Sequence, residues 1–339
     1  MIPAIFGLSG LALSDDERDF LRDADPAGYI LFGRNIASRD QVRALTDDLR
    51  AIHGRERLLI TVDQEGGGVT RLKPPEWLAW PNGVEFDRLY DIAPASAIEA
   101  ARANAEALGL DLAEIGITCT HAPVLDVRQP DTHDVIGDRA YGSEPMRVAA
   151  LGRAVLDGLA RAGILGTIKH MPGHGRALCD SHKELPTVTA SDAELETDIA
   201  PFRALNTAPI AMTAHIVFTA WDVERPATQS PFVIEEVIRK RIGFDGLLLS
   251  DDLDMEALDG TVPERAERAV MAGCDIALNC WAKMDDMQGI AERLPAMADA
   301  AAARLDRALA SLGTPGDPRA QGDLLAKRDA LFAAAEAHA

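Results

Sequence analysis

Short, nearly continuous apolar runs alternate with helical patterns along most of the chain. A run of this kind is typical of a parallel β-strand, because both faces of such a strand are covered by other elements. Seven runs predict strands, at residues 28–32, 58–62, 117–121, 165–170, 210–215, 246–251 and 275–279.

The segments between these strands carry apolar residues at intervals of three or four, which predicts amphipathic helices. Two of these helices begin with a capping-box pattern, in which a serine is followed three residues later by a glutamate: Ser96 with Glu99, and Ser191 with Glu194. Pro263 predicts the first turn of another helix. Strands and helices therefore alternate through most of the sequence.

This alternation predicts an α/β fold, a TIM-like (β/α)8 barrel whose eighth strand is degenerate or was missed by the pattern. A doubly wound open sheet is the alternative. No Gly/Ser-rich or Pro-rich linker divides the chain, so we expect one catalytic domain over residues 1–339, with a helical C-terminal segment at about 287–339. We interpret residues 2–13 as the start of this domain, because a secretory signal would carry a positive charge before its apolar run.

The composition excludes several classes of protein. Among 339 residues, 34 are Lys or Arg and 54 are Asp or Glu, which gives a formal net charge of −20. Nucleic-acid binding needs clustered cations for phosphate contacts, and this charge also disfavours docking on an anionic membrane. No apolar run approaches the ~18 residues that span a bilayer. The four cysteines form no C-x-x-C motif, so we expect free thiols and a cytoplasmic protein.

Polar residues gather directly after four of the predicted strands. In a (β/α) barrel the carboxyl ends of the strands meet at one face, and active sites are built there. The clusters are Asp63-Gln64-Glu65, Lys169-His170 with the loop that follows, His215, and Ser250-Asp251-Asp252. Four such clusters on one predicted face indicate a catalytic site.

The densest polar stretch, KHMPGHGRALCDSH, ends in Asp180 and His182. A carboxylate two residues from an imidazole can hydrogen-bond it and raise its basicity, which gives a poised acid/base. Asp251, at the end of an apolar strand, is suited to act as a nucleophile or an electrostatic stabiliser. Its neighbours Asp252 and Asp254 could equally cap the following helix.

Together these motifs resemble those of glycoside hydrolase family 3. Residues 169–182 match its signature K-H-[FM]-P-G-H-G-x4-D-S-H, and the resemblance covers roughly residues 1–300. Further agreement in order and spacing comes from VDQEGGGVTRL at 62–72, HAPVLDV at 121–127, IGDRAYGSEP at 136–145, MTAHIVF at 212–218 and GFDGLLLSDDLDMEAL at 243–258. The similarity is greatest to bacterial single-domain β-N-acetylglucosaminidases of peptidoglycan recycling.

The resemblance implies a retaining double displacement with an unusual acid/base. The family's nucleophile falls on Asp251, its histidine acid/base on His182, and the partner that orients this histidine on Asp180. Its sugar-binding residues fall on Asp63, Arg71, Arg139, Lys169 and His170. We therefore expect a monomer without cofactor or metal that removes terminal β-linked N-acetylglucosamine from small soluble muropeptides, such as GlcNAc-anhydroMurNAc and its peptides.

Two other reactions stay open at this point. Some relatives release the sugar to phosphate, because a histidine acid/base repels anions less than a glutamate would. A metal-dependent barrel hydrolase is the other alternative, since His170, His174, Asp180 and His182 are ligand types that zinc accepts.

The charge of the predicted site differs from that of the chain. Arg71, Arg139 and Lys169 all fall at the mouth of the predicted barrel, together with several histidines. We therefore expect a locally basic patch on an acidic protein, which would favour a substrate that carries carboxylates.

Overall fold

Eight parallel strands close into a barrel in the computed structural model, which describes residues 1–337. Ten strands lie among the described residues, eight of them in the barrel: β1 (Ile2–Gly7), β2 (Pro26–Leu31), β3 (Leu59–Val62), β4 (Cys119–Thr120), β5 (Leu165–Met171), β6 (Thr187–Val188), β7 (Ile210–Thr213), β8 (Val217–Phe218), β9 (Leu247–Asp252) and β10 (Ile276–Asn279). The order around the barrel is β1-β10-β9-β7-β5-β4-β3-β2, while β6 and β8 form a separate two-stranded sheet. The predicted α/β fold, a single-domain TIM-like barrel, is confirmed.

The strand that the apolar pattern missed is β1. It closes the barrel by pairing on both sides, with Ala4 opposite Ala277 of β10 and Phe6 opposite Tyr29 of β2. Residues 2–13, interpreted only as the start of the domain, therefore supply the eighth strand. The omission has a physical cause, because the place of β1 in the barrel depends on its pairing with β10, far along the chain.

Ten α-helices lie among the described residues and cover the outside of the barrel. They are α1 (Asp15–Ala24), α2 (Arg39–His53), α3 (Gly83–Ile92), α4 (Pro94–Glu114), α5 (Pro145–Arg161), α6 (Asp192–Ala204), α7 (Val262–Ala272), α8 (Met284–Arg293), α9 (Asp299–Ala310) and α10 (Gln321–Glu336). A π-helix, Val233–Ile242, occupies the position between β8 and β9. None of the described helices is both long and apolar enough to cross a membrane.

The helix starts agree with the sequence in two of three cases. Ser191 is the N-cap of α6 and forms the predicted capping box with Glu194. Pro263 lies in the first turn of α7. Ser96, in contrast, is not a cap, because α4 already begins at Pro94, whose fixed backbone angle suits the first turn of a helix.

The chain beyond Met284 is mostly helical and packs against the barrel. In α10, Arg328 donates to the side-chain oxygen of Asn104 on α4 at 2.9 Å, and the ring of Phe332 lies 5.6 Å from that of Phe86 on α3. Residues 338–339 of the predicted C-terminal segment lie outside the described residues. The segment's boundary near residue 287 stays a prediction.

Candidate active site

A cavity of about 150 Å³ opens at the carboxyl ends of the barrel strands. Seven of the eight predicted site residues line it: Asp63, Arg71, Arg139, Lys169, His170, His182 and Asp251. The eighth, Asp180, lies behind His182 and hydrogen-bonds it. The structure thus brings together residues that are up to 188 positions apart in the sequence, as the strand-end pattern predicts.

The loop after β3 turns sharply to bring Glu65 into the cavity. Gly66 follows with φ of +126°, and a Cβ at this position would lie 2.0 Å from the carbonyl oxygen of Pro81. Only glycine satisfies both conditions without displacing the backbone. The sequence motifs assign no role to Glu65, although its position shortly after a predicted strand is the signal that points to it.

Lys169 is the centre of an ion-pair network on one wall of the cavity. Its Nζ lies 2.5 Å from Oε1 of Glu65 and 3.5 Å from Oδ1 of Asp63. Arg139 binds Glu65 with two parallel bonds of 2.8 and 2.9 Å, and Arg71 binds Asp63 at 2.9 Å. Such fork-like pairs fix both partners in orientation.

The network also fixes the charge of its acids. Burial would raise the pKa of Glu65, but Arg139 and Lys169 outweigh burial and lower it to about 2. Burial would also raise the pKa of Asp63. Its charged neighbours, Lys169 above all, outweigh burial and hold that pKa well below the usual range. Both carboxylates are therefore charged at neutral pH.

This pairing corrects the expected basic patch. Three cations line the cavity, but so do four carboxyl groups. The cations are those of Arg71, Arg139 and Lys169, and the carboxyl groups are those of Asp63, Glu65, Asp251 and Asp252. Arg71 pairs with Asp63, while Arg139 and Lys169 share Glu65. With Asp251, whose pKa is also lowered, three charged carboxylates balance the three cations at the mouth of the barrel.

Asp251 lies at the carboxyl end of β9, lines the cavity and is ionised. Burial would raise the pKa of its carboxyl, but His170, His215 and the backbone N–H of Asp252 together lower it. That N–H donates to Oδ1 at 2.8 Å. A charged carboxylate that lines a cavity fits the predicted nucleophile.

The two neighbouring acids do not cap a helix. Asp254 accepts bonds from the side chain of Asn279 at 2.8 Å and from the N–H of Cys280 at 3.0 Å, so it holds the end of β10. The helix that follows, α7, is capped by Thr261 instead. Burial and the Asp254 carboxylate raise the pKa of Asp252 well above its usual range, the opposite direction to the shift at Asp251.

His182 and Asp180 form the predicted pair. Nδ1 of His182 lies 2.8 Å from Oδ1 of Asp180, which also accepts the backbone N–H of His182 at 3.0 Å. Because an ionised carboxylate can only accept, Nδ1 carries a proton and Nε2 is left for the cavity. The His182 side chain is 61% exposed, which leaves room for a second group or a water beside the ring.

Asp126 is a buried carboxylate that the sequence did not single out. Its Oδ2 accepts from Nδ1 of His170 at 2.7 Å, and its Oδ1 accepts the backbone N–H groups of His170 at 3.1 Å and His174 at 2.7 Å. These bonds fix the ring of His170 against the cavity. They outweigh burial and lower the pKa of Asp126 to about 2. It lies in the apolar run HAPVLDV, where a fully buried acid is the unusual residue.

Replacing Asp126 with asparagine should destabilise the protein in a pH-dependent way. A folded-state pKa of about 2 against an ordinary 3.8 corresponds to about 2 kcal/mol of stability. Because the pKa is lowered, this contribution is complete above about pH 4 and is lost as the pH falls toward 2. Denaturant unfolding should show the loss at pH 7 and a smaller difference from wild type at pH 3. Asp131→Asn, on the exposed loop nearby, is the control; equal losses at both pH values would contradict the argument.

The comparison with known families assigns the chain. Residues 5–312 match the model described as Glycosyl hydrolase family 3 N terminal domain. The chain belongs to glycoside hydrolase family 3. The residues of the family signature thus lie around one cavity in a member of that family, and the chain is a glycoside hydrolase.

The similarity to individual known proteins extends over most of the chain. A beta-hexosaminidase of Alkalilimnicola ehrlichii is 41% identical over 290 residues, covering 82% of this chain and 80% of the relative. A beta-hexosaminidase of Bordetella pertussis is 37% identical over 329 residues, covering 95% and 92%. The crystal structure of NagZ from Neisseria gonorrhoeae in complex with N-trifluoroacetyl-D-glucosamine matches with a TM-score of 0.87 and 31% identity, covering 98% of this chain and 97% of that one.

The three histidines considered as zinc ligands each hydrogen-bond a different side chain. His170 is bound to Asp126, His174 to Ser181, and His182 to Asp180. Within residues 1–337, no three or more His, Cys, Asp or Glu side chains are arranged to hold a metal ion. The metal-dependent alternative thus finds no ligand cluster in the described part of the chain.

Proposed function

We propose that this protein is a retaining exo-β-N-acetylglucosaminidase that acts on soluble peptidoglycan fragments, including GlcNAc-anhydroMurNAc and its peptides. Hexosaminidase activity itself follows from family membership and from the curated relatives. The observation that carries the finer proposal is the pairing, around one small cavity, of an ionised Asp251 with the Asp180–His182 pair. Asp251 can attack the anomeric carbon of the sugar, while His182 can donate a proton to the leaving oxygen.

In the first step, an oxygen of Asp251 attacks the anomeric carbon as the glycosidic C–O bond breaks. Protonated His182 donates its Nε2 proton to the departing oxygen, and Asp180 stabilises the imidazolium through Nδ1–H. The products are a glycosyl ester on Asp251, a neutral His182 and the released alcohol. Most retaining glycosidases use a second carboxylate here, about 5–5.5 Å from the first.

In the second step, water takes the place of the leaving group. Neutral His182 accepts a proton from this water at Nε2, and the water oxygen attacks the anomeric carbon. The ester bond to Asp251 breaks, which restores the carboxylate and the protonated imidazole. Two inversions at one carbon give overall retention of configuration.

The sugar-binding roles proposed for Asp63, Arg71, Arg139, Lys169 and His170 are consistent with their contacts. A sugar offers several hydroxyl groups, and these residues present donors and acceptors whose orientation the ion pairs fix. Nε of Arg71 is buried without a hydrogen-bond partner among the described residues, which suits a donor reserved for a ligand oxygen.

We also propose that the enzyme acts as a cytoplasmic monomer. All four cysteines are free thiols, which fits a reducing compartment. The residues proposed for the site gather around one cavity of this chain, an arrangement that a monomer can supply.

Trapping the glycosyl-enzyme tests the proposed function. A 5-fluoro N-acetylglucosaminyl fluoride slows both steps by withdrawing electrons from the ring oxygen, while its good leaving group keeps the first step faster than the second. We expect mass spectrometry to find one sugar on the peptide that contains Asp251. No covalent adduct, or an adduct on another residue, would contradict the mechanism.

The substrate and the acceptor need a separate assay. We expect the enzyme to cleave the one glycosidic bond of GlcNAc-anhydroMurNAc and to release its non-reducing sugar as free N-acetylglucosamine. The same reaction in phosphate buffer should give no sugar 1-phosphate; a phosphorylated product would identify a phosphorylase instead.

A further inference from the structure

The loop that carries Asp180 and His182 has few regular hydrogen bonds of its own. It runs from the end of β5 to β6 through turns and irregular backbone. In this loop the side chain of His182 is 61% exposed, whereas the preceding residue, Ser181, is only 3% exposed. A serine so deeply buried on an open loop needs a polar partner inside the protein.

That partner is His174. Its Nε2 lies 3.2 Å from Oγ of Ser181, and the residue is 2% exposed. The other ring nitrogen, Nδ1, is buried with no hydrogen-bond partner among the described residues, so Ser181 alone orients the ring by hydrogen bonding. Burial lowers the pKa of His174 to about 4, which leaves a neutral imidazole able to accept or donate one bond to the hydroxyl.

His174 is in turn anchored to the sugar-binding side of the cavity. Its backbone N–H donates to Asp126 at 2.7 Å, and the same carboxylate holds His170 at 2.7 Å. The rings of His170 and His174 also meet edge to face, with centroids 5.6 Å apart. A continuous set of contacts thus runs from His170 through Asp126 and His174 to Ser181.

We infer that Ser181 and His174 are positioning residues. Their hydrogen bond forms a latch that holds the Asp180–His182 pair at the mouth of the cavity. Fixing the hydroxyl of Ser181 fixes the backbone between the two members of the pair, whose own bonds span only two residues. The backbone N–H of Glu256 adds a second, weaker anchor by donating to the carbonyl oxygen of His182 at 3.3 Å. This inference rests on the proposed function, because it takes His182 as the acid/base.

Replacing Ser181 with alanine removes one oxygen atom from the latch and keeps the loop's length and charge. If the latch positions the acid, kcat/KM should fall by about 10- to 100-fold for alkyl N-acetylglucosaminides, whose leaving group needs a proton. For 2,4-dinitrophenyl N-acetylglucosaminide, which needs none, the fall should be about threefold or less. A merely structural role would reduce both rates equally.

Cys179→Ala is the matched control, since Cys179 flanks Asp180 on the other side, while the hydrogen bond of the His174 ring goes to Ser181. It should leave both rates close to those of wild type. Hydrogen exchange provides a second readout: amides 179–184 should exchange faster in Ser181→Ala, with the barrel strands unchanged.

The outcomes separate this inference from the proposed function. If His182→Ala shows the leaving-group difference and Ser181→Ala does not, the latch is wrong and the acid assignment stands. If His182→Ala shows no difference, the acid assignment fails, and unchanged hydrogen exchange in Ser181→Ala would then overturn the latch as well.

Discussion

Replacing Asp251 with asparagine should reduce kcat/KM by about 10⁴-fold or more for every N-acetylglucosaminide, whatever its leaving group. The carboxylate is charged at neutral pH, because His170 and His215 outweigh the burial that would raise its pKa. An amide keeps the shape but cannot form a glycosyl ester. Because the bond from Asp251 to the anomeric carbon forms as the bond to any aglycone breaks, a better leaving group should not compensate for the loss of the nucleophile. Steady-state kinetics with alkyl and dinitrophenyl glycosides measure the effect.

Azide distinguishes a lost nucleophile from a damaged site. In Asp251→Gly the missing carboxylate leaves room for a small anion, so azide should restore turnover of the dinitrophenyl substrate and give the inverted α-azide. Asp259→Asn, an exposed acid farther along the same loop, is the control and should keep wild-type rates. Loss of activity for only the poor leaving groups would contradict the assignment of Asp251.

The fold could be predicted because most of its strands are apolar on both faces. The run at 165–170, for example, corresponds to β5 at Leu165–Met171. The predicted strand at 117–121 shortens to the two paired residues of β4, because pairing depends on neighbours that the sequence pattern does not show. β1 needs the same information, since its place in the barrel depends on pairing with β10, the strand farthest from it in the chain.

The site could be predicted where residue type and strand end coincide. Asp63, Lys169 and Asp251 each lie at the end of a strand, and all three line the cavity. Their charges could not be predicted in the same way, because the pairing of Lys169 with Glu65 depends on a turn that folds the chain back.

The contacts behind the cavity are less visible still in the sequence. Asp126 is 44 positions from His170, and only the closed barrel brings the two side chains to 2.7 Å. The bond between His174 and Ser181 likewise depends on the path of an irregular loop. A one-dimensional pattern therefore indicates which groups reach the cavity better than it indicates what holds them there.

The second large effect is expected from His182→Ala, and it should depend on the leaving group. For alkyl glycosides, kcat/KM should fall by about 10²- to 10⁴-fold, the usual contribution of general acid catalysis. For a dinitrophenyl glycoside the fall should be about tenfold or less, because dinitrophenolate leaves without a proton. A slope of log kcat/KM against leaving-group acidity that is steeper than that of wild type would measure this difference.

The same variant should fail in the second step even when it succeeds in the first. Without His182 no base activates water, so the glycosyl ester on Asp251 should accumulate with the dinitrophenyl substrate and appear as a burst. Azide needs no base, so it should raise kcat and give the retained β-azide, the opposite anomer to that from Asp251→Gly. Lys183→Ala, at the next and largely exposed position, should show neither the burst nor the rescue. Because the two azide anomers are chemically distinct, they assign nucleophile and acid/base independently of any rate, and a β-azide from both variants would show that Asp251 is not the nucleophile.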